Sequence, residues 1–228
     1  MLFRQLFDNE SCTYTYLLAS GKGREAIIID PVKSKTHLYI QLLNQLDIKL
    51  VASIETHLHA DHLTAAGDLY HQTDCQLMMG MQTKAECVSV KFQDNETLEF
   101  DGLKLKAIYT PGHTDDSYCF IMNDIIFTGD TLLIRGTGRT DFQNGSPSMQ
   151  YDSLFEKILT LPGDTRVYPA HDYHGMTVST IAEEKHFNPR LQIKSRDEYI
   201  ELMNNLNLPP PKMIDVALKG NLKCGLTD

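Results

Sequence analysis

Between His57 and His62, six consecutive positions hold four side chains of the kind that ligate metals: His57, His59, Asp61 and His62. Imidazole and carboxylate groups are the usual holders of first-row transition metals, and no ordinary packing role accounts for that density. Alternate residues of an extended segment project to the same side, so His57 and His59 share a face. Asp61 and His62 fall where the following pattern predicts a helix to begin, and Asp is also a favoured helix N-cap. The run therefore reads as a metal site on a strand-to-helix loop.

Three later segments repeat the layout, each an apolar strand run with a ligand type at its exit. Ile108-Tyr109-Thr110-Pro111-Gly112 leads to His113, Ile125 to Gly129 leads to Asp130, and Val167-Tyr168-Pro169-Ala170 leads to His171. Sheet proteins gather their sites on loops at strand ends, where rigid elements hold the ligands. Any one of these residues read alone is a turn residue, a cap or a satisfied polar group. Four strand exits each supplying a ligand by coincidence is a far weaker explanation than one shared metal-binding cleft. His37, His71 and His186 have no such company and read as surface or helix-face residues, with His174 intermediate because it lies near His171.

Strands are predicted at 12–18, 25–30, 50–54, 103–109, 117–122, 124–128 and 166–168. Helical spacing covers 35–46, 63–71, 153–161, 178–187 and 196–206. This interleaving points to mixed sheets covered by helices rather than a bundle or a sandwich. The chain of 228 residues is long enough for one substantial core, and no internal repeat or low-complexity linker divides it. The composition break at Leu208-Pro209-Pro210-Pro211 predicts a stiff turn into a C-terminal tail from about residue 207.

A net charge of −9, without any concentrated basic run, argues against nucleic acid and anionic membrane surfaces as partners. No apolar stretch reaches the roughly 20 residues of a membrane span, and the first residues lack a signal peptide's apolar core. The five cysteines are scattered and odd in number, with no Cys-x-x-Cys. The expectation is reduced cysteines filling a core in the cytoplasm.

The pattern His57-x-His59-x-Asp61-His62, followed by His113, Asp130 and His171, resembles the metallo-β-lactamase superfamily. Within it the chain is most similar to persulfide dioxygenases (sulfur dioxygenases) of the ethylmalonic encephalopathy protein type. That likeness runs through Thr56 to Leu63, Gly129 to Gly136, Gly138-Arg139-Thr140-Asp141-Phe142-Gln143, Tyr168 to Gly175 and Asn188 to Leu191. It extends from Leu2 to Gly225, and the string beginning at Gly138 is its most specific part. The resemblance implies a single αββα domain over 1–228, two mixed sheets flanked by helices, with no appended rhodanese domain.

The resemblance also implies chemistry. Hydrolytic members use all seven ligand positions for two zinc ions, with the carboxylate at the Asp130 position as bridge. Persulfide dioxygenases hold one Fe(II) through residues matching His57, His113 and Asp130, a two-histidine, one-carboxylate face with positions left open. His59, Asp61, His62 and His171 then orient ligands and hold water. The implied reaction converts glutathione persulfide, O2 and water to sulfite and glutathione. Arg139 and Arg135 are the candidates to grip glutathione carboxylates, since guanidinium binds carboxylate with two hydrogen bonds. Tyr173 is a candidate for its glycyl end. A homodimer fits the resemblance. The rival is a two-zinc thioester hydrolase of the glyoxalase II kind, which draws on the same seven residues.

Two positions depart from the family. Thr114-Asp115-Asp116-Ser117 follows His113 where a Pro-Gly pair is usual, and Thr137 stands where a Cys is common. Both bear on substrate preference rather than on the metal face.

Overall fold

The computed structural model describes residues 1–210 and 213–226. In chain order the chain opens with β1 (Leu2–Asp8), β2 (Thr13–Ala19), β3 (Glu25–Ile29), α1 (Thr36–Leu46), β4 (Lys49–Ile54) and α2 (Ala66–Thr73). It continues through β5 (Gln76–Gly80), β6 (Val90–Phe92), β7 (Thr97–Phe100), β8 (Leu103–Tyr109), β9 (Tyr118–Met122) and β10 (Ile125–Gly129). It closes with α3 (Pro147–Asp152), β11 (Arg166–Pro169), β12 (Ser179–Thr180), α4 (Ile181–Phe187), α5 (Arg196–Asn204) and α6 (Ile214–Asn221). The chain divides into two compact units. One comprises Met1–Phe92, Thr97–Leu105 and Pro210–Asp228, and the other Gln93–Glu96 and Lys106–Pro209.

In the first unit a six-stranded sheet runs in the order β1-β2-β3-β4-β5-β6. Its first two pairings are antiparallel, and the next three, β3 with β4, β4 with β5 and β5 with β6, are parallel. Every residue of β2 is buried, as are Ala26 to Ile29 of β3, the continuous apolar signature of strands covered on both faces. Leu17, Ile28, Tyr39, Leu43, Leu69 and Leu77 share one core there. The second sheet has the order β12-β11-β10-β9-β8-β7. Within it β8 to β10 are antiparallel neighbours, and β10 pairs with β11 in parallel. The second unit's core joins Ile126 and Val167 of this sheet to Leu154, Ile158, Ile181, Tyr199 and Met203.

The predicted strands appear with boundaries shifted by a residue or two, and β8 coincides with its prediction. Several elements were not legible. β1, β5 and the short strands β6, β7 and β12 were not predicted, and α6 lay in the expected tail. Pro211, the last residue of the proline run, lies outside the described residues. The predicted helix at 153–161 is a π-helical turn at Ser153–Lys157 followed by a 3-10 turn at Ile158–Thr160, continuing from α3. The helix after the ligand run starts at Ala66, capped at Ala65. Asp61 is therefore not its N-cap, and residues 55–65 remain irregular backbone.

The cysteine expectation is corrected at two positions. Cys87 and Cys224 form a disulfide across 137 residues of chain, with Cα atoms 6.0 Å apart. A pairing that distant leaves no local spacing signal. Cys75 and Cys119 are free and buried, as expected of core fillers, while Cys12 is free and half-buried. Among the described residues no helix is long and apolar enough to cross a membrane.

One buried hydroxyl ties α1 to the strand ends beneath the ligand loop. Tyr39 Oη lies 2.9 Å from Thr15 Oγ1 and accepts from the Val32 N–H at 3.0 Å. Thr15 Oγ1 also donates to the Asp30 carbonyl at 2.7 Å. Burial pushes the Tyr39 phenol up to about 12, so it stays protonated. Tyr39→Phe strands the buried Val32 N–H and should cost about 1–3 kcal/mol in urea unfolding, with an unchanged m-value.

Candidate metal centre

In the first unit the ligand loop hangs on one carboxylate. Asp30 follows β3 with φ of 51°, a left-handed conformation that Asp tolerates better than most residues. Its Oδ1 accepts the Thr56 N–H at 2.7 Å and its Oδ2 accepts the Thr56 hydroxyl at 2.9 Å. The Thr56 hydroxyl lies 3.0 Å from His57 Nδ1, which leaves His57 Nε2 to face outward as the coordinating nitrogen. His59 Nε2 sits 3.2 Å from Asp30 and 3.4 Å from Glu55. Those carboxylates leave Nδ1 as its coordinating atom. His62 Nδ1 lies 2.9 Å from Asp61 Oδ2, which leaves Nε2. Among the described residues, His59, Asp61 and His62 fall in one group of potential ligands.

The carboxylates behind His59 shape its charge. Burial alone would drive the proton off, but Asp30 and Glu55 outweigh it and raise the His59 pKa well above the ordinary imidazole value. Glu55 moves the same way, pushed up by burial against the opposing pull of His59. A metal taken up at His59 Nδ1 would have to displace a proton from the ring.

The second unit supplies His113, Asp130 and His171 from the ends of β8, β10 and β11. At the end of β10 the register against β11 shifts between Phe127 and Gly129, and Gly129 takes φ of 50°. The shift turns Asp130 out of the sheet. His113 Nδ1 donates to the Arg139 carbonyl at 2.7 Å, so its Nε2 carries the lone pair. That Nε2 lies 3.4 Å from Asp130 Oδ2, and His171 Nε2 lies 3.7 Å from Asp130 Oδ1. Asp130 Oδ1 is buried and has no hydrogen-bond partner among the described residues. A carboxylate approached by one imidazole nitrogen at each oxygen, with one oxygen buried and without a donor, is an arrangement that a metal ion satisfies.

Close backbone approach builds the surroundings of His113 and Asp130. A Cβ at Gly138 would collide with the Asp130 carbonyl and the His113 ring, and one at Gly112 would strike the Gln150 backbone of α3. Gly138 N donates to the Asp130 carbonyl at 2.7 Å. The departures noted in the sequence fold inward. Asp116 is buried and accepts from the Thr114 hydroxyl at 2.7 Å, and Asp115 accepts from Asn144 at 2.8 Å. Thr137 is buried, with Arg190 donating to its carbonyl.

The arginine expectations separate. Arg135 is committed within the protein: its guanidinium grips Glu183 and Glu184, and its N–H donates to Glu184 at 2.8 Å. Glu184 is fully buried and also accepts from Ser179 and Asn188. Arg139 chelates Asp141 at 2.6 and 2.7 Å, donates to the Pro209 and Leu208 carbonyls, and lies over the Phe142 ring at 4.5 Å. Its proximity holds the Asp141 carboxyl below the usual carboxylate range. Tyr173 is 66% exposed, its ring parallel to that of His171 at 6.1 Å. His37, His71 and His186 are exposed, as the sequence predicted, and so is His174, which the sequence left intermediate.

Sequence reading missed Asp30, Glu55 and Asn221, none of which carries a motif of its own. Asn221 Nδ2 donates to the His59 and His62 carbonyls at 2.9 and 2.8 Å.

Comparison with known proteins places these residues in a family. The metallo-beta-lactamase superfamily model matches residues 88–171. The mitochondrial persulfide dioxygenase ETHE1 of Mus musculus is 46% identical, over 99% of this chain and 89% of its own. The crystal structure of ETHE1 from Myxococcus xanthus superposes with a TM-score of 0.96 at 48% identity, covering 99% of this chain and all of that one. The chain belongs to the ETHE1 persulfide dioxygenase family. Hydroxyacylglutathione hydrolase of Francisella philomiragia is more distant, 31% identical over 81% of this chain and 74% of its own. The fold is the metallo-β-lactamase fold, two mixed sheets flanked by helices, as the sequence led us to expect.

Replacing Arg135 with Ala leaves the buried Glu184 carboxylate without its charged partner and should cost about 3 kcal/mol of stability. Chemical denaturation set beside steady-state kinetics checks this, the expected outcome being a large stability loss with little change in KM.

Proposed function

We propose that the chain is a persulfide dioxygenase that oxidises glutathione persulfide with O2 and water to sulfite and glutathione. The observation that carries this reading is 46–48% identity to ETHE1 proteins along nearly the whole chain, against 31% to the hydroxyacylglutathione hydrolase. We assign one Fe(II) to His57, His113 and Asp130. His59, Asp61, His62 and His171 serve as the surrounding groups that orient ligands and hold water.

The donor set suits that ion. His57 and His113 each have Nδ1 engaged, by Thr56 and by the Arg139 carbonyl, so each presents a basic Nε2. Asp130 adds an oxygen that no protein donor claims among the described residues. Two imidazoles and one carboxylate would hold a ferrous ion without filling its coordination, and the ion would supply the redox chemistry that links dioxygen to a persulfide sulfur. Zinc on the same donors would instead favour attack by water.

The chain's own residues then bind and orient. Glutathione carries two carboxylates, and an acidic protein needs local cations to hold it. Arg139 is the cation carried forward, shaping the pocket or trading part of its Asp141 contact for substrate. Arg135, held by Glu183 and Glu184, is set aside. The exposed Tyr173 ring serves the glycyl end. Homodimerisation and a cytoplasmic location belong to the same proposal, and the Cys87–Cys224 bond makes the redox state of the compartment matter.

Metal analysis of anaerobically purified protein, paired with oxygen uptake on glutathione persulfide, tests the reading. About one iron per chain and oxygen consumption are expected. Two zincs per chain with hydrolysis of S-lactoylglutathione would replace it by the hydrolase reading. Asp130→Ala should lose iron and activity together. Arg139→Ala should raise KM for glutathione persulfide roughly tenfold or more, the loss of a charge-assisted hydrogen bond.

A further inference from the structure

The ligand loop 55–65 has no helix or strand of its own, so its buried backbone polar groups need partners from elsewhere. Asn221, the last residue of α6 and 3% exposed, supplies three of them. Its Nδ2 donates to the His59 carbonyl at 2.9 Å and to the His62 carbonyl at 2.8 Å, while its Oδ1 accepts the Thr64 N–H at 2.9 Å. One planar amide thus spans the loop from His59 to Thr64 with its donors and acceptor all used. We propose that Asn221 is a positioning residue for the metal centre, and that the Cys87–Cys224 disulfide keeps the segment carrying it in place.

An isolated helix of eight residues is far too short to be stable in water. Only Ala217, Gly220 and Asn221 of α6 are buried, so its position depends on what anchors its end. The turn after it provides the anchors. The Cys224 carbonyl accepts the Gly67 N–H at 2.8 Å in the first turn of α2. The Gly225 carbonyl accepts from Lys33 Nζ at 2.8 Å, and the same ammonium lies 3.1 Å from Asp68. The Leu222 carbonyl accepts the Glu86 N–H at 3.3 Å, beside Cys87, whose sulfur is bonded to Cys224. The covalent link therefore lies three residues from the amide that grips the loop. Its reduction frees the turn, and the His59 and His62 backbone loses its fixed support.

This inference rests on the metal-centre reading, but on neither the identity of the metal nor the reaction. The test uses cobalt(II) as probe, titrated into metal-free full-length protein against a chromophoric chelator, with thermal melting alongside. Asn221→Ala should weaken cobalt binding 10- to 100-fold, the range for outer-shell support of a metal site, and change the visible d–d spectrum. Ala217→Gly serves as the control: it loosens the same buried helix without touching the loop, and should lower the melting temperature with cobalt affinity within threefold of wild type. Wild-type protein treated with a water-soluble phosphine should lose affinity as Cys87→Ser does. The phosphine becomes its oxide, water supplying that oxygen and the two thiol hydrogens. Cys87→Ser itself should not respond. Wild-type affinity in Asn221→Ala, or an equal loss in Ala217→Gly, overturns the positioning role. Affinity unchanged by reduction overturns the staple. A wild-type protein that takes up no cobalt overturns the metal-centre reading, and this proposal with it.

Discussion

The Asp30 carboxylate is the interaction on which the ligand loop depends. It is buried, sits in a left-handed turn at the end of β3, and holds the Thr56 amide, the Thr56 hydroxyl and His59 Nε2 at once. A buried charge is tolerated only when its oxygens are fully engaged. The engagement here is with the residues that begin the metal loop, so the energy that settles Asp30 also settles His57 and His59. The Asp30 backbone is held in turn, its carbonyl by Thr15 and its N–H by the Ile54 carbonyl at 3.0 Å. Strand ends and loop are one hydrogen-bonded unit.

A second regularity recurs in both units. His57, His62 and His113 each have Nδ1 bound, to Thr56, to Asp61 and to the Arg139 carbonyl, and so each offers Nε2. His59 is the reverse, with Nε2 toward Asp30 and Glu55. The partners of His57, His62 and His113 favour one tautomer of each ring before any ion arrives, whereas His59 must give up a proton to one. The four rings are prepared by four unlike partners: a hydroxyl, an adjacent carboxylate, a backbone carbonyl and a buried acidic pair.

The sequence located the candidate ligands but not what stands behind them. His113, Asp130 and His171 were legible because each follows an apolar run that had to be a strand. Asp30 and Glu55 follow or end such runs too, yet Asp after a strand is as common in plain turns. Their role arises only once β3 and β4 lie side by side, a pairing between residues more than twenty positions apart. Asn221 is further still from the loop it grips, and its segment read as a tail because a three-turn amphipathic pattern is absent from an eight-residue helix. The cysteine pair was missed for the same reason. Arg135 illustrates the opposite failure. Its position suggested a substrate cation, whereas the buried Glu184 that claims it comes from α4, far along the chain.

Gly112 and Gly138 have no room for a single carbon atom, because backbone, imidazole and the Asp130 carbonyl already occupy that volume. Variation along this stretch is thus confined to side chains that project away from the packed ribbon, Arg139, Asp141 and Phe142 among them. Substitution at those positions changes what the segment presents to its surroundings, while the backbone behind His113 and Asp130 is shielded from drift. Side-chain identity and backbone path sit a few bonds apart on one segment and yet are free to change separately.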